Sequence, residues 1–331
     1  MCHSLGFAFV LVTALAACKG GDSGTGGGDD TVGPDASVVD PPPPTRGFQI
    51  VSPEITITAG QEITYCYYFK MPNTENLVVK KWSSQMTTGS HHMILFGTPS
   101  EVQPAGTVTA TQCGIGGASA NNIPAWLFGA ATEHAELALP TDDGAGKPLG
   151  QEITAGSPAY IQMHYVNATD ADMKVHVSIN AEAYAAGAAY TKTAPYITFN
   201  GNLTIPMGAV GVVQTQTCST PPGTKFWQMS THAHKQAVKT EVKNGMPTST
   251  EIAFASTDWA HPGSKMWMAT PFYTFTGDKL TFSCTYNNTG SNAGRDIHTG
   301  DSAQTDEMCM ATGYYFPATK SQICYNGFLI P

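Results

Sequence analysis

The sequence predicts an all-β protein built as two antiparallel β-sandwiches. Three observations predict it. Short alternating stretches recur from Phe48 onward, separated by Gly, Pro and Asn turns. No long stretch keeps a helical apolar period, and the alanine-rich run at 181–189 is interrupted by Gly187. Only 12% of the 331 residues are charged, and small polar residues abound, which suits an exported β protein. The stretch "AYAAGAAYTKTAPYI" (183–197) divides the folded part into similar halves, 48–190 and 191–331, each the size of one sandwich.

Taken in order, the chain opens with "FAFVLVTALAA" (7–17), too short for a lasting bilayer span and suited to the apolar region of an export signal. It ends in "LAAC", Leu15 to Cys18, which resembles a bacterial lipobox in which Cys18 carries lipid. Because "MCHSLG" has no Lys or Arg, a plain secretory signal is the alternative. Residues 1–18 are therefore read as a lipoprotein signal, and the chain is placed outside the cytoplasm, held to a bacterial membrane by the lipid alone. Residues 19–47, "KGGDSGTGGGDDTVGPDASVVDPPPPTRG", have no apolar pattern to bury and read as a disordered tether ending in a polyproline spacer.

Formal net charge is −9, with five acidic residues in that tether, so no basic surface suggests nucleic acid. Leaving out Cys2 and Cys18, six cysteines remain: Cys66, Cys113, Cys218, Cys284, Cys309 and Cys324. An even number in an exported chain suggests three disulfides, and the count alone leaves about fifteen pairings open. Predicted strands include 54–72, 159–167, 174–180, 199–206, 225–238, 279–288 and 312–318.

Five histidines fall into three tight contexts. "QMSTHAHKQA" (228–237) places His232 and His234 on one face of a strand with Phe226, Gln228 and Ser230, leaving Trp227, Met229 and Ala233 for the core. Two imidazoles on one side of a rigid strand are half of a metal site, although a polar surface ladder has the same pattern. "GSHHMILFG" (89–97) puts His91 and His92 on opposite faces of a regular strand. They share a metal only if the backbone is irregular there, as Gly89 and Ser90 permit. One buried, hydrogen-bonded ring beside one exposed ring is the plainer reading. In "IQMHYVN" (161–167), Gln162 and His164 share a face opposite Ile161, Met163 and Tyr165, and a lone strand histidine is usually structural.

"TDEMCMATGYYF" (305–316) adds Met308 and Met310 on one strand face. A methionine is ordinarily core filler, but a thioether beside imidazoles favours Cu(I). His176 is read as solvent-facing, His134 and His261 as loop histidines, and His298 as a possible neighbour of the second site. Asp306 and Glu307 are read as turn or strand-edge residues, not acid–base catalysts.

"HHMILFG", "QMHY", "THAH" and "DEMC" follow in an order and spacing that resemble the copper type II, ascorbate-dependent monooxygenases, whose members include the peptidylglycine- and dopamine-hydroxylating enzymes. The resemblance runs from about Phe48 to Cys324. It implies two jelly-roll-like sandwiches facing across a cleft, each with one copper: His91, His92 and His164 on the first, His232, His234 and Met308 on the second. It implies the disulfides Cys66–Cys113, Cys218–Cys324 and Cys284–Cys309, and a place for Gln162 beside the first copper. It further implies hydroxylation of a C–H bond in a small-molecule or peptide-like organic substrate, with dioxygen and ascorbate or another one-electron reductant. Ser230 and Thr312 stand where the peptide-hydroxylating branch has an arginine and a tyrosine, which disfavours a peptide carboxylate. The rival readings are a copper-binding or copper-delivering surface lipoprotein, and a disulfide-stabilised module whose histidines bind nothing.

Overall fold

A computed structural model of the chain describes residues 39–111, 113–114 and 122–330. The signal sequence, Cys18 and most of the tether lie outside the described residues. Among those described, regular structure is β, apart from a short 3-10 turn at Thr276–Asp278. Strand pairing stays within residues 47–192 or within 194–330.

In the first half, a six-stranded sheet centres on Val177–Ala183 and Leu77–Met86. A five-stranded sheet runs Val108–Thr109, Glu62–Lys70, Pro158–Val166, Ser90–Gly97, Ala125–Ala130. Their inner faces share one core, in which Trp82 stacks on Phe128 with ring centroids 5.9 Å apart. The buried Trp82 indole donates to Gln151 Oε1 at 2.7 Å, so its one polar atom is satisfied.

The second half repeats the plan. A six-stranded sheet holds Lys225–Ala233, Cys309–Phe316 and Ala194–Phe199, and a four-stranded sheet runs Val210–Ser219, Lys279–Asn287, Ala237–Asn244, Ile252–Ser256. Tyr196, Phe226 and Tyr315 meet Leu280, Phe282 and Tyr286 between them.

Several expectations need correction. Among the described residues two strand pairings are parallel, Thr191–Lys192 with Leu149–Ile153 and Ala194–Phe199 with Gln322–Tyr325. The predicted strand 199–206 is split: Ala194–Phe199 ends where Asn200 turns, and Thr204–Ile205 belongs to another small sheet. The end of the tether is docked, not free. Asn180 Nδ2 donates to Pro42 O, Gln49 Nε2 to Pro41 O, and Asp40 meets His176 Nε2 at 3.0 Å. His176 is therefore a half-buried partner of Asp40, not a solvent-facing ring. The chain then enters its first strand at Gly47, whose φ of +131° brings the backbone so close to Ala181 that a Cβ would collide with that carbonyl.

The disulfides join Cys66 to Cys113, Cys218 to Cys324 and Cys284 to Cys309, the same pairs that the resemblance implies.

Candidate metal centre

The first histidine set is made by a strand irregularity. Pro158–Val166 pairs antiparallel with Ser90–Gly97, with His164 opposite His92 but Tyr165 opposite Ser90. His91 is therefore an extra residue on its strand, a β-bulge. A bulge breaks the alternation of faces, so His91 and His92 can turn to the same side. Gly89, at φ +88°, supplies the left-handed turn just before it.

His91 Nδ1 and His92 Nδ1 lie 3.0 Å apart, and the His164 ring centroid is 5.0 Å from each of theirs. One ring nitrogen from each of the three lies within 4.8 Å of the others. His164 arrives by simple alternation: Ile161, Met163 and Tyr165 enter the core while Gln162 and His164 share the other face. Its Nε2 meets Glu62 Oε1 at 3.0 Å, and its Nδ1 is buried without a partner. A bare buried nitrogen costs free energy unless something pairs with it.

The second set differs from its predicted form. Lys225–Ala233 ends one residue before His234, so the two histidines do not stand on one regular strand. His232 lies on the strand opposite Met310. His234 opens a turn closed by Ala237 N–H donating to His234 O at 3.0 Å. That turn is gripped by Glu307, fully buried, whose carboxylate accepts the backbone N–H groups of His234, Gln236 and Met308. His234 Nδ1 faces Asp306 O at 3.1 Å, which leaves Nε2 as the lone-pair nitrogen. His232, His234, Met308 and Met310 line one small cavity together with His92, His164 and Gln162. Met308 is held by its neighbours, since Cys309 is bridged to Cys284 and Tyr286 Oη donates to Met308 O at 2.7 Å.

A second bulge corrects another expectation. The register shifts between Phe226 and Gln228, which sends Phe226 into its own sandwich core and Trp227 into the core of the first half. Gln228 and Ser230 remain on the cavity side with His232.

The two histidine sets adjoin, with His92 and His232 ring centroids 5.8 Å apart. Burial, reinforced by neighbouring rings, lowers the His91 pKa to about 4 and that of His232 to about 3. Burial holds His234 at about 4 against the pull of the Asp306 carbonyl, and pushes His92 well down. His164 is also lowered by burial, with Glu62 opposing. All five rings are therefore neutral at pH 7, the state that offers a lone pair to a metal ion.

Sequence reasoning left several neighbours unnamed. Trp259 stacks on His91 at 5.6 Å, and His261, read as a loop histidine, lies 5.7 Å from the same ring. Glu62 joins His164 to Gln304, whose Nε2 donates to Glu62 Oε2 at 2.7 Å. His298 is exposed and faces Thr204. Gln162 donates to Cys113 O at 3.3 Å beside His164.

Fold and site together define an all-β protein with two adjoining imidazole sets, one of them beside thioethers. Residues 200–328 match the family model described as the copper type II ascorbate-dependent monooxygenase, C-terminal domain. The match supports that family, whose description names copper and ascorbate, over the second half of the chain. No curated protein matches the chain. Among solved structures, similarity is reported to the major capsid protein P2 of bacteriophage PM2, at 7% identity and TM-score 0.27, over 79% of this chain and 97% of that one. The Sulfolobus turreted icosahedral virus structure is 8% identical at TM-score 0.20, over 82% and 60% of the two chains. The PBSX exported protein XepA is 9% identical at TM-score 0.20, over 83% and 89%. Likeness of this degree bears on neither mechanism nor substrate.

Proposed function

We propose that the chain is a copper-dependent monooxygenase that hydroxylates a C–H bond of an organic substrate, with dioxygen and an external one-electron reductant such as ascorbate. The observation that carries this reading is that one ring nitrogen from each of His91, His92 and His164 lies within 4.8 Å of the others, with His164 Nδ1 buried and unpartnered. The family match over residues 200–328, the stretch that contains His232, His234 and Met308, supports it.

The residues fit copper on chemical grounds. Three neutral imidazoles suit either copper oxidation state, and a thioether favours Cu(I). His91, His92 and His164 would hold one ion, and His232, His234 and Met308 the other. Copper, when bound, supplies one-electron transfer and activation of dioxygen. The chain does the rest. Glu62 fixes the tautomer of His164, and the Asp306 carbonyl that of His234, so each ring presents a chosen nitrogen. The Glu307 carboxylate and the Cys284–Cys309 bridge hold Met308 and His234 in place from behind. Trp126, Phe128 and Tyr314 wall a cavity of about 270 Å³ beside His91, His92, His232 and His234.

The export signal, the Cys18 lipid and the extracytoplasmic location belong to the same proposal. Three disulfides support it, since such bonds persist in oxidising compartments.

The test is copper content together with ascorbate-driven oxygen consumption and a hydroxylated product. Two ions per chain and oxygen uptake matched by product are expected. Met308→Ile should abolish turnover and lower the copper content to one ion. Copper loading without product would indicate a copper carrier, and full activity in Met308→Ile would overturn the ligand assignment.

A further inference from the structure

His261 stands where the first histidine set meets solvent. It comes from the second half, on the turn that follows Ile252–Ser256, and its ring centroid lies 5.7 Å from that of His91. Its neighbours Ala260 and Pro262 wall the cavity, but His261 is not part of that wall, and its side chain is 57% exposed. The turn is fixed in place. Asp258 Oδ1 accepts the backbone N–H groups of Ala260 and His261 at 2.9 Å each. Ser230 Oγ donates to Gly263 O, and Trp259 stacks on His91.

His261 is not a fourth member of the set. His91, His92 and His164 each contact the other two, at centroid separations of 5.3, 5.0 and 5.0 Å. Among the described residues, His261 contacts the ring of His91 alone. Two imidazoles on one ion, through metal–nitrogen bonds of about 2 Å, have centroids on the order of 6 Å apart or less. The His91–His261 pair meets that limit, as does each pair within the set. His91 can therefore share an ion with His261 on the solvent side, or with His92 and His164 further in.

The inner position is hard to reach in one step. His164 is buried, and His92 is enclosed by His91, His164 and His232. Stripping a cation of its water before protein ligands are in hand is costly. An exposed imidazole offers a first ligand while water still fills the other positions. The Asp258 carboxylate, 3.8 Å from His261 Nδ1, adds a negative charge that draws a cation to the same spot.

We propose that His261 is the entry ligand of the first metal centre. It takes the ion from solvent, forms a transient two-imidazole site with His91, and gives the ion up to His92 and His164. Each step exchanges one ligand for another, and no electron moves. The proposal rests on the copper assignment of the first set made under the oxygenase reading, and does not depend on turnover.

The test measures loading rates without reductant. Metal-free full-length chain carrying Met308→Ile, which isolates the first set, is mixed with a Cu(II)–glycine complex. Filling is read by quenching of tryptophan fluorescence, and release by transfer of the copper to excess chelator. His261→Asn should slow filling and release alike by about tenfold, the effect of a barrier raised by about 1.4 kcal/mol. Affinity in chelator competition and the electron paramagnetic resonance spectrum of the bound Cu(II) should not change, because a ligand used only on the path alters both rates and not their ratio. The substituted side chain is exposed, and the unchanged spectrum also reports an intact site. A fall in affinity or an altered spectrum would make His261 a resident ligand, and unchanged rates would make it a bystander. Either result overturns the proposal, as does a chain that takes up no copper. Loading through His261 without any hydroxylated product would sink the oxygenase reading alone. Product formation with equally fast filling in His261→Asn would sink the entry role alone.

Discussion

His164 turns one ring nitrogen to Glu62 and keeps the other bare within a buried wall. Such a group is stable only as a neutral ring, and the same holds for its neighbours. In the unfolded chain a histidine takes up a proton near pH 6.5. In the folded, metal-free chain His91 and His234 do so only near 4, and His232 near 3. Between those limits the unfolded state binds more protons, so their stabilising contribution is complete above 6.5 and drains away as pH falls. Between its two limits each ring contributes at most one proton to the difference, so the slope is on the order of 1 kcal/mol per pH unit per ring. Glu307 acts in the opposite sense, because burial raises its pKa to about 8 although three backbone N–H groups pull it down. Stability attached to that carboxyl is lost as pH rises through 8. Denaturant titrations of metal-free protein should therefore show stability falling steadily from pH 6.5 to 4, with the rings outweighing one carboxyl. A flat profile would mean that the rings are solvated. Much of this was legible in the residues. Period-two alternation places His164 and Gln162 opposite Ile161 and Met163. Glu62 and Glu307 were not legible, because their roles depend on partners distant along the chain or on a carboxylate folding back onto backbone.

At the scale of elements, two bulges build the site. The first lets His91 join His92, and the second divides Phe226 from Gln228. Alternation predicts opposite faces in the first case and a shared face in the second, and one inserted residue reverses each result. The glycine before His91 hinted at the first; nothing in "KFWQ" signals the second. Between elements, Glu62 on Glu62–Lys70 reaches across to His164 on the adjacent strand and to Gln304 in the loop before Met308. It ties the first histidine set to the loop that leads into Met308. Glu62→Gln keeps the shape and loses the charge, so copper affinity at His91, His92 and His164 should fall about 10- to 100-fold in competition with a chelator. Unchanged affinity would show that the carboxylate is a bystander.

The molecule as a whole is held by apolar surface that the halves share. Trp227, Phe272, Tyr314 and Phe316 of the second half belong to the core of the first. Trp227 is fully buried, stacks on Tyr314 at 5.0 Å and donates to Thr193 Oγ1 at 2.8 Å. Calorimetry should therefore show one unfolding transition for both halves, and Trp227→Ala should lower stability by about 3–5 kcal/mol. Two separated transitions in the unaltered chain would contradict this coupling. The all-β class was legible from turn spacing and alternation. The shared core was not, since a tryptophan facing a neighbouring sandwich and one facing its own have the same sequence signature.

The residues between Asp40 and Arg46 add a practical point. Arg46 Nε donates to Tyr184 O, and the prolines ahead of it are fastened along the same sheet by Gln49 and Asn180. An engineered fusion should therefore join its partner ahead of Asp40 and not directly at the first strand. A cut placed inside this stretch, rather than ahead of it, would strip hydrogen bonds from a sheet margin and expose its backbone to foreign strands.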